Sequence, residues 1–272
     1  MGYGGNIITP EIILLIAIKF SITMYEVLIN FPYIIQYGDI ISTEWFVAFF
    51  LNLYIAEIAS VFSDIVFGAM LLLARYFYLV DEILKALQMD IQNANKAGLS
   101  QMEIREYQRK LLRLLQLYRQ MKRMVFEFAK CIEISILVQM LNTFANTLTN
   151  LYALLDFYVQ ENHLEEKDVV YVLMIFLNIC LLLYAAEKVK HSSERLRDTL
   201  LDLDTTWDGV NSGWRSDVLA FKIWPEVFEV NVLGMFPLNN SFLLFLVSYA
   251  INFVVIILQF IITKALFLRY KF

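Results

Sequence analysis

Apolar residues fall in five long runs, at about 10–35, 45–73, 128–158, 169–186 and 238–268. A membrane-crossing helix needs about 20 mostly apolar residues, so each run is long enough to span a bilayer. The first run has no basic start and no small-residue cleavage site after it, so it reads as a span rather than a signal peptide. The chain therefore divides into a first pair of spans (1–74), a polar loop (75–127) and a second pair of spans (128–186). A charged segment (187–236) and a last span with a short tail (237–272) complete it. The fold class this predicts is an all-α, polytopic membrane bundle of about five transmembrane helices with long helical extensions.

The polar segments carry their own pattern. Residues 101–127 place Ile104, Leu111, Leu115, Tyr118 and Val125 on an apolar face opposite a basic one. No Pro or Gly separates that segment from the third span, which predicts one helix of roughly 55–60 residues and ~85 Å. Residues 187–205 read as a charged helix leaving span four, and 214–232 as a short segment around Trp214, Trp224 and Pro225. Gly234 and Pro237 break the chain before the last span. The basic faces are either solvated helix surface beside anionic lipid or a platform that packs against neighbouring subunits.

Lysine and arginine mark the cytoplasmic loops. Residues 75–125 hold ten of them and 188–231 hold six, whereas 36–44 has none and 159–168 has Lys167 alone. Both long loops then face the cytoplasm, with the N-terminus inside and the C-terminus outside. Arg269 and Lys271 on the outer tail run against that bias. In the same orientation the sequon Asn239-Asn240-Ser241 lies near the cytoplasmic end of the last span, which predicts no glycan there.

Composition supports the membrane reading and excludes other classes. The 272 residues are 59% hydrophobic, 15% aromatic and 18% charged, with a mean hydropathy of +0.59. Soluble domains are nearer 45–50% apolar and about 25% charged. A net charge of −5 implies no general attraction to nucleic acid. Cys131 and Cys180, in apolar surroundings, read as small hydrophobes, and His163 and His191 sit beside charges in polar segments. No metal-ligand cluster, phosphate-binding glycine loop or nucleophile motif occurs, so no catalytic residue, metal or cofactor is expected. There is no internal repeat.

Polar residues within the spans form stripes. Lys19, Thr23, Glu26 and Asn30 share one face of span one, and Glu57, Ser60 and Asp64 share one face of span two. Span three carries Gln139, Asn142, Thr143, Asn146, Thr149 and Asn150, and span four has Asn178 alone. Polar groups in hydrocarbon face the bundle interior or a wet cavity. One reading is interhelical hydrogen bonding, worth about 0.6 kcal/mol per contact, with Lys19 paired to Glu57 or Glu26. The other is a ligand pocket open to the outside, with Glu26, Asn30, Phe49, Glu57, Asn146, Asn150, Tyr171 and Met174 as its candidates. Carboxylates, carboxamides and aromatics together suit a small polar or bitter-type ligand.

The last span differs. Ser248, Asn252, Ile256, Gln259 and Thr263 share one narrow face of an otherwise bulky apolar helix. Such a face suits a pore built from several copies around an axis, with Ile256 or Phe260 closing it by dewetting. Helix packing is the competing account.

Asn252-Phe253, the five apolar residues VVIIL, and Gln259-Phe260 resemble the last-helix signature of the insect gustatory receptors: Thr-Tyr, five apolar residues, Gln-Phe. The lead-in GMFPLNNSFLLFLVSYA and the charged run AAEKVKHSSERLRDTLLDL are similar to the same family. Gln259 and Phe260 match residue for residue, while Asn252-Phe253 stand where the family has Thr-Tyr. None of the five apolar positions carries the Glu of the sugar-receptor branch. The resemblance implies a plasma-membrane, tetrameric, ligand-gated, non-selective cation channel. Its last helix would line the pore, with Gln259 and Phe260 at the gate and a tastant held in the outer halves of the preceding helices. The partners implied are a small-molecule tastant, lipid and other receptor subunits. The five spans correspond to helices three to seven of a seven-helix family pattern. Two alternatives stand beside this reading: a shortened, non-conducting subunit that modulates full-length receptors, and a small transporter using Glu57, Asp64 and Lys19.

Overall fold

A computed structural model describes residues 7–38, 43–96, 101–161, 166–202, 228, 230–232 and 236–269. Five α-helices account for nearly all of them: α1 (Pro10–Gly38), α2 (Thr43–Lys96), α3 (Gln101–Glu161), α4 (Glu166–Leu201) and α5 (Asn240–Arg269). A two-residue antiparallel pair, β1 (Asn231–Val232) and β2 (Phe236–Pro237), precedes α5 with Asn231 opposite Pro237. The all-α polytopic reading of the sequence therefore holds.

Local chemistry sets the helix ends. Thr9 caps α1, its hydroxyl accepting from the Ile12 amide at 3.4 Å, and Pro10 follows at the first helical position, where its missing N–H costs nothing. Asn239 caps α5 in the same way, with its Oδ1 3.1 Å from the Phe242 amide. The helix predicted across the 127/128 boundary forms as α3, 61 residues or ~92 Å long with no Pro or Gly. The second run also continues past its predicted end at residue 73 through the charged segment to Lys96. That extension has the period of an amphipathic helix, burying Phe77, Val80, Leu84, Leu87 and Ile91.

Helices α2, α3 and α4 form the centre, with α1 along α2 and α4, and α5 against α3 and α4. In the extensions, Leu84, Leu111, Leu115, Leu196 and Leu200 interdigitate in one core. Of the apolar face expected on 101–127, Leu111, Leu115, Tyr118 and Val125 are buried; the Ile104 side chain lies outside the described residues, as do Trp214, Trp224, Pro225 and Gly234. Ser193 of α4 fixes the approach to the β-pair, accepting from the Phe228 amide at 3.1 Å. Val230, Val232 and Leu238 then plug into the core. Cys180 is half-buried, but Cys131 faces outward, because α3 turns that side away from its neighbours.

Among the described residues three helical stretches are long and apolar enough to cross a membrane: Ser60–Asn93, Val169–Leu201 and Asn240–Thr263. Among the described residues, neither α1 nor the 128–158 run contains such a stretch. Ile13, Leu14, Phe20 and Leu28 of α1 point outward, as lipid-facing side chains do.

Candidate functional site

A polar cluster sits where α1, α2 and α4 meet. Lys19 is 1% exposed; its Nζ lies 3.5 Å from Asp64 Oδ1 and donates to Ser63 Oγ at 3.3 Å. One turn along α1, the Thr23 hydroxyl is buried beside Asp64 without a hydrogen bond of ordinary geometry. A further turn on, Glu26 accepts from Ser60 Oγ and from Asn178 Nδ2, each at 3.4 Å. The stripes read on spans one and two thus face each other, and the lone polar residue of span four completes the group. The partner of Lys19 is Asp64 rather than Glu26; the Glu57 side chain lies outside the described residues.

The described cluster holds one cation, Lys19, against two carboxylates, Asp64 and Glu26. Asn178 Oδ1 is a buried acceptor without a hydrogen-bond donor among the described residues, while Asp64 Oδ1 faces the Lys19 ammonium at 3.5 Å, the long limit of a hydrogen bond. A buried polar group left without a partner costs about 1–3 kcal/mol, so the Asn178 oxygen favours a further donor. Beside Asn178 is a cavity of about 10 Å³, lined by Ser63, Gln139, Met140, Thr143, Asn178, Ile179 and Leu182. It has room for about one water.

The candidate ligand residues divide. Glu26 is in the cluster, and half-buried Tyr171 and Met174 precede Asn178 on the same face of α4. Asn146 is exposed, and half-buried Asn150 donates its amide to the Asn146 carbonyl at 2.7 Å. The Asn30, Phe49 and Glu57 side chains lie outside the described residues. On α3 the hydroxyls of Thr143, Thr147 and Thr149 likewise donate to carbonyls one turn back, at 2.8–2.9 Å. Much of that stripe is satisfied within its own helix, leaving Gln139 and Thr143 beside the small cavity.

Helix α5 turns its candidate pore face away from the bundle. Ile257 and Ile261 are buried against α3 and α4, while Ser248, Asn252, Ile256, Gln259, Phe260 and Thr263 are exposed, Phe260 to 73%. Thr263 donates to the Gln259 carbonyl at 2.7 Å. Only 6% of the Asn240–Thr263 stretch is buried.

A second charged cluster, absent from the sequence reading, lies beyond the apolar part of α2. Asp81 is fully buried; its Oδ2 contacts Arg195 Nε at 2.7 Å and Lys85 Nζ at 2.9 Å, and its Oδ1 accepts from the Thr199 hydroxyl. Arg195 also lies over the Tyr78 ring, 4.8 Å from its centroid. This locks the extensions of α2 and α4 together.

A helical bundle with an inward polar stripe and an uncovered last helix is the architecture of a polytopic membrane protein. The 7tm chemosensory receptor family matches residues 4–264, and the chain belongs to that family, in its insect gustatory-receptor group. Over 244 residues it is 28% identical to the Drosophila melanogaster protein assigned as gustatory receptor 89a, covering 89% of this chain and 61% of that one. Over 149 residues it is 26% identical to the Drosophila melanogaster gustatory receptor for bitter taste 93a, covering 54% of this chain and 35% of that one. The chain thus spans less than two thirds of the length of either relative.

Proposed function

We propose that this chain is a subunit of a ligand-gated, non-selective cation channel that senses a small-molecule tastant. Four copies of α5 surround the pore, and the ligand binds where α1, α2 and α4 meet. The observation that carries the reading is the uncovered polar face of α5. Asn252 and Gln259 would face hydrocarbon in a lone chain, and such residues face protein or water instead. Around a fourfold axis Ser248, Asn252 and Gln259 wet the path, and Ile256 and Phe260 supply an apolar constriction. The cluster of Lys19, Glu26, Asp64 and Asn178, with Tyr171 and Met174 on the adjoining α4 face, offers charged, amide and aromatic groups to a small polar ligand. The family relative named for bitter taste supports a bitter compound as the first class to test. The lysine- and arginine-rich loops support an orientation with the N-terminus in the cytoplasm and the C-terminus outside the plasma membrane.

The test is recording from cells that express the chain, alone and with full-length gustatory receptors, while a panel of bitter compounds is applied. A cation current altered by Gln259→Ala or Phe260→Ala, together with a fourfold cross-linking ladder for Ile256→Cys, is the expected result. A monomer that neither conducts nor alters a partner's current would sink the proposal.

A further inference from the structure

Outside the candidate ligand cluster, a cavity of about 390 Å³ opens where the helices leave their apolar stretches. One face of α3 builds most of it: Tyr118, Lys122, Phe126, Lys130 and Glu133 recur there at helical spacing. Phe77 of α2, Ser193 of α4 and Phe228 close the other side, with the Phe77 and Phe228 rings 6.4 Å apart. Its position follows from its residues. Phe77 comes one turn after the second apolar run and Ser193 two turns after the fourth, and Lys122–Glu133 straddles the start of the third. The cavity is therefore at the membrane–water boundary, where aromatic side chains and lysines are characteristically placed.

We propose that this cavity is a headgroup site for an acidic aminophospholipid, of which phosphatidylserine is the simplest. Lys122 and Lys130 complement its two anionic groups, phosphate and carboxylate, while Glu133 complements its ammonium. Lys130 lies over the Phe126 ring, 4.5 Å from the centroid, so its charge is held at the cavity wall rather than swinging free. The aromatic floor of Phe77, Phe126 and Phe228 accepts the glycerol and the first methylenes of the chains. A two-to-one ratio of cations to anions in the lining fits this headgroup better than a zwitterionic one. In the orientation read from the loops, the site faces the cytoplasmic leaflet, where acidic lipids concentrate. That leaflet assignment rests on the proposed topology; the headgroup chemistry does not.

Native mass spectrometry of the full chain released from nanodiscs tests this, since both nanodisc leaflets have one composition. Discs of phosphatidylcholine mixed with phosphatidylserine are expected to yield retained phosphatidylserine in preference. Lys122→Gln and Lys130→Gln should each weaken that preference about fivefold, equivalent to ~1 kcal/mol per lysine at a membrane surface. Glu133→Gln should weaken phosphatidylserine retention but spare phosphatidylglycerol, which has no ammonium. Lys110→Gln, an exposed lysine paired with Glu106 elsewhere on α3, should change nothing. Equal retention of phosphatidylcholine, or equal loss in the Lys110→Gln control, overturns the site. Displacement by soluble glycerophosphoserine at micromolar concentration overturns the lipid as occupant and identifies a free small anion instead. If cysteine labelling finds residues 75–127 outside the cell, only the leaflet assignment fails.

Discussion

Helix α2 carries two carboxylates about 25 Å apart along its axis, and they meet opposite fates. Asp81 is sealed from solvent, and its oxygens are matched by Arg195, Lys85 and Thr199. Asp64 is partly accessible and faces Lys19 at 3.5 Å, the long limit of a hydrogen bond. The first arrangement is complete and joins two helices. The second is looser and, among the described residues, sets one lysine against two carboxyl groups. A complete buried network rigidifies, whereas an incomplete one favours whatever supplies the missing partner. The tightly paired and the loosely paired carboxylates are therefore separated along one helix.

That contrast can be broken by mutation, beginning with the largest effect. Asp81→Leu removes the acceptor shared by Arg195, Lys85 and Thr199 and should destabilise the chain by about 2–3 kcal/mol, since both cations keep access to solvent, read as a lower melting temperature in detergent. A melting temperature close to that of the parent would remove the distinction. Lys19→Met should destabilise less and Lys19→Met/Asp64→Leu less still, since replacing an ion pair by apolar residues is often neutral. The double variant should nevertheless lose the ligand-evoked current, and a normal response would separate the cluster from sensing. Asn178→Leu should shift the half-maximal ligand concentration while costing about 1 kcal/mol in stability. Ser193→Ala, which frees the Phe228 amide, should cost about 1 kcal/mol, read as a small drop in melting temperature. Glu106→Gln should have the smallest effect. Its hydrogen bond from Lys110 holds the Glu106 carboxyl below the usual carboxylate range. Its contribution is therefore present above that range and lost as pH falls through it. On an exposed surface, acid melting curves of parent and variant should nearly superimpose.

Long elements were legible in the sequence because apolar runs without Pro or Gly have few alternatives to a helix. The α3 rod and the buried Leu111, Leu115 and Tyr118 follow from spacing alone. The partner of Lys19 does not. Glu57 and Asp64 lie on one face of α2, and the axial offset between α1 and α2, which spacing leaves free, decides between them. The α3 stripe posed a related problem: a threonine bonding to its own helix has the same spacing as one reaching across to another. Asp81 escaped notice because a carboxylate in a charged amphipathic stretch ordinarily faces water. The boundary cavity did leave a signal, the alternation of lysine and phenylalanine through 122–130, but that alternation also describes a solvated face. Only the approach of Phe77 and Phe228 turns it into a groove.

The unbroken length of α3 has a mechanical consequence. A helix with no proline, glycine or other weak point cannot absorb a displacement by bending, so it moves as a lever. The boundary cavity, lined by residues 118–133, lies near the middle of this rod of ~92 Å, where a fulcrum would be. A tilt of a few degrees there carries the two ends several ångström in opposite directions. Whatever grips α3 at that point sets how far a push on the ligand side travels to the other end.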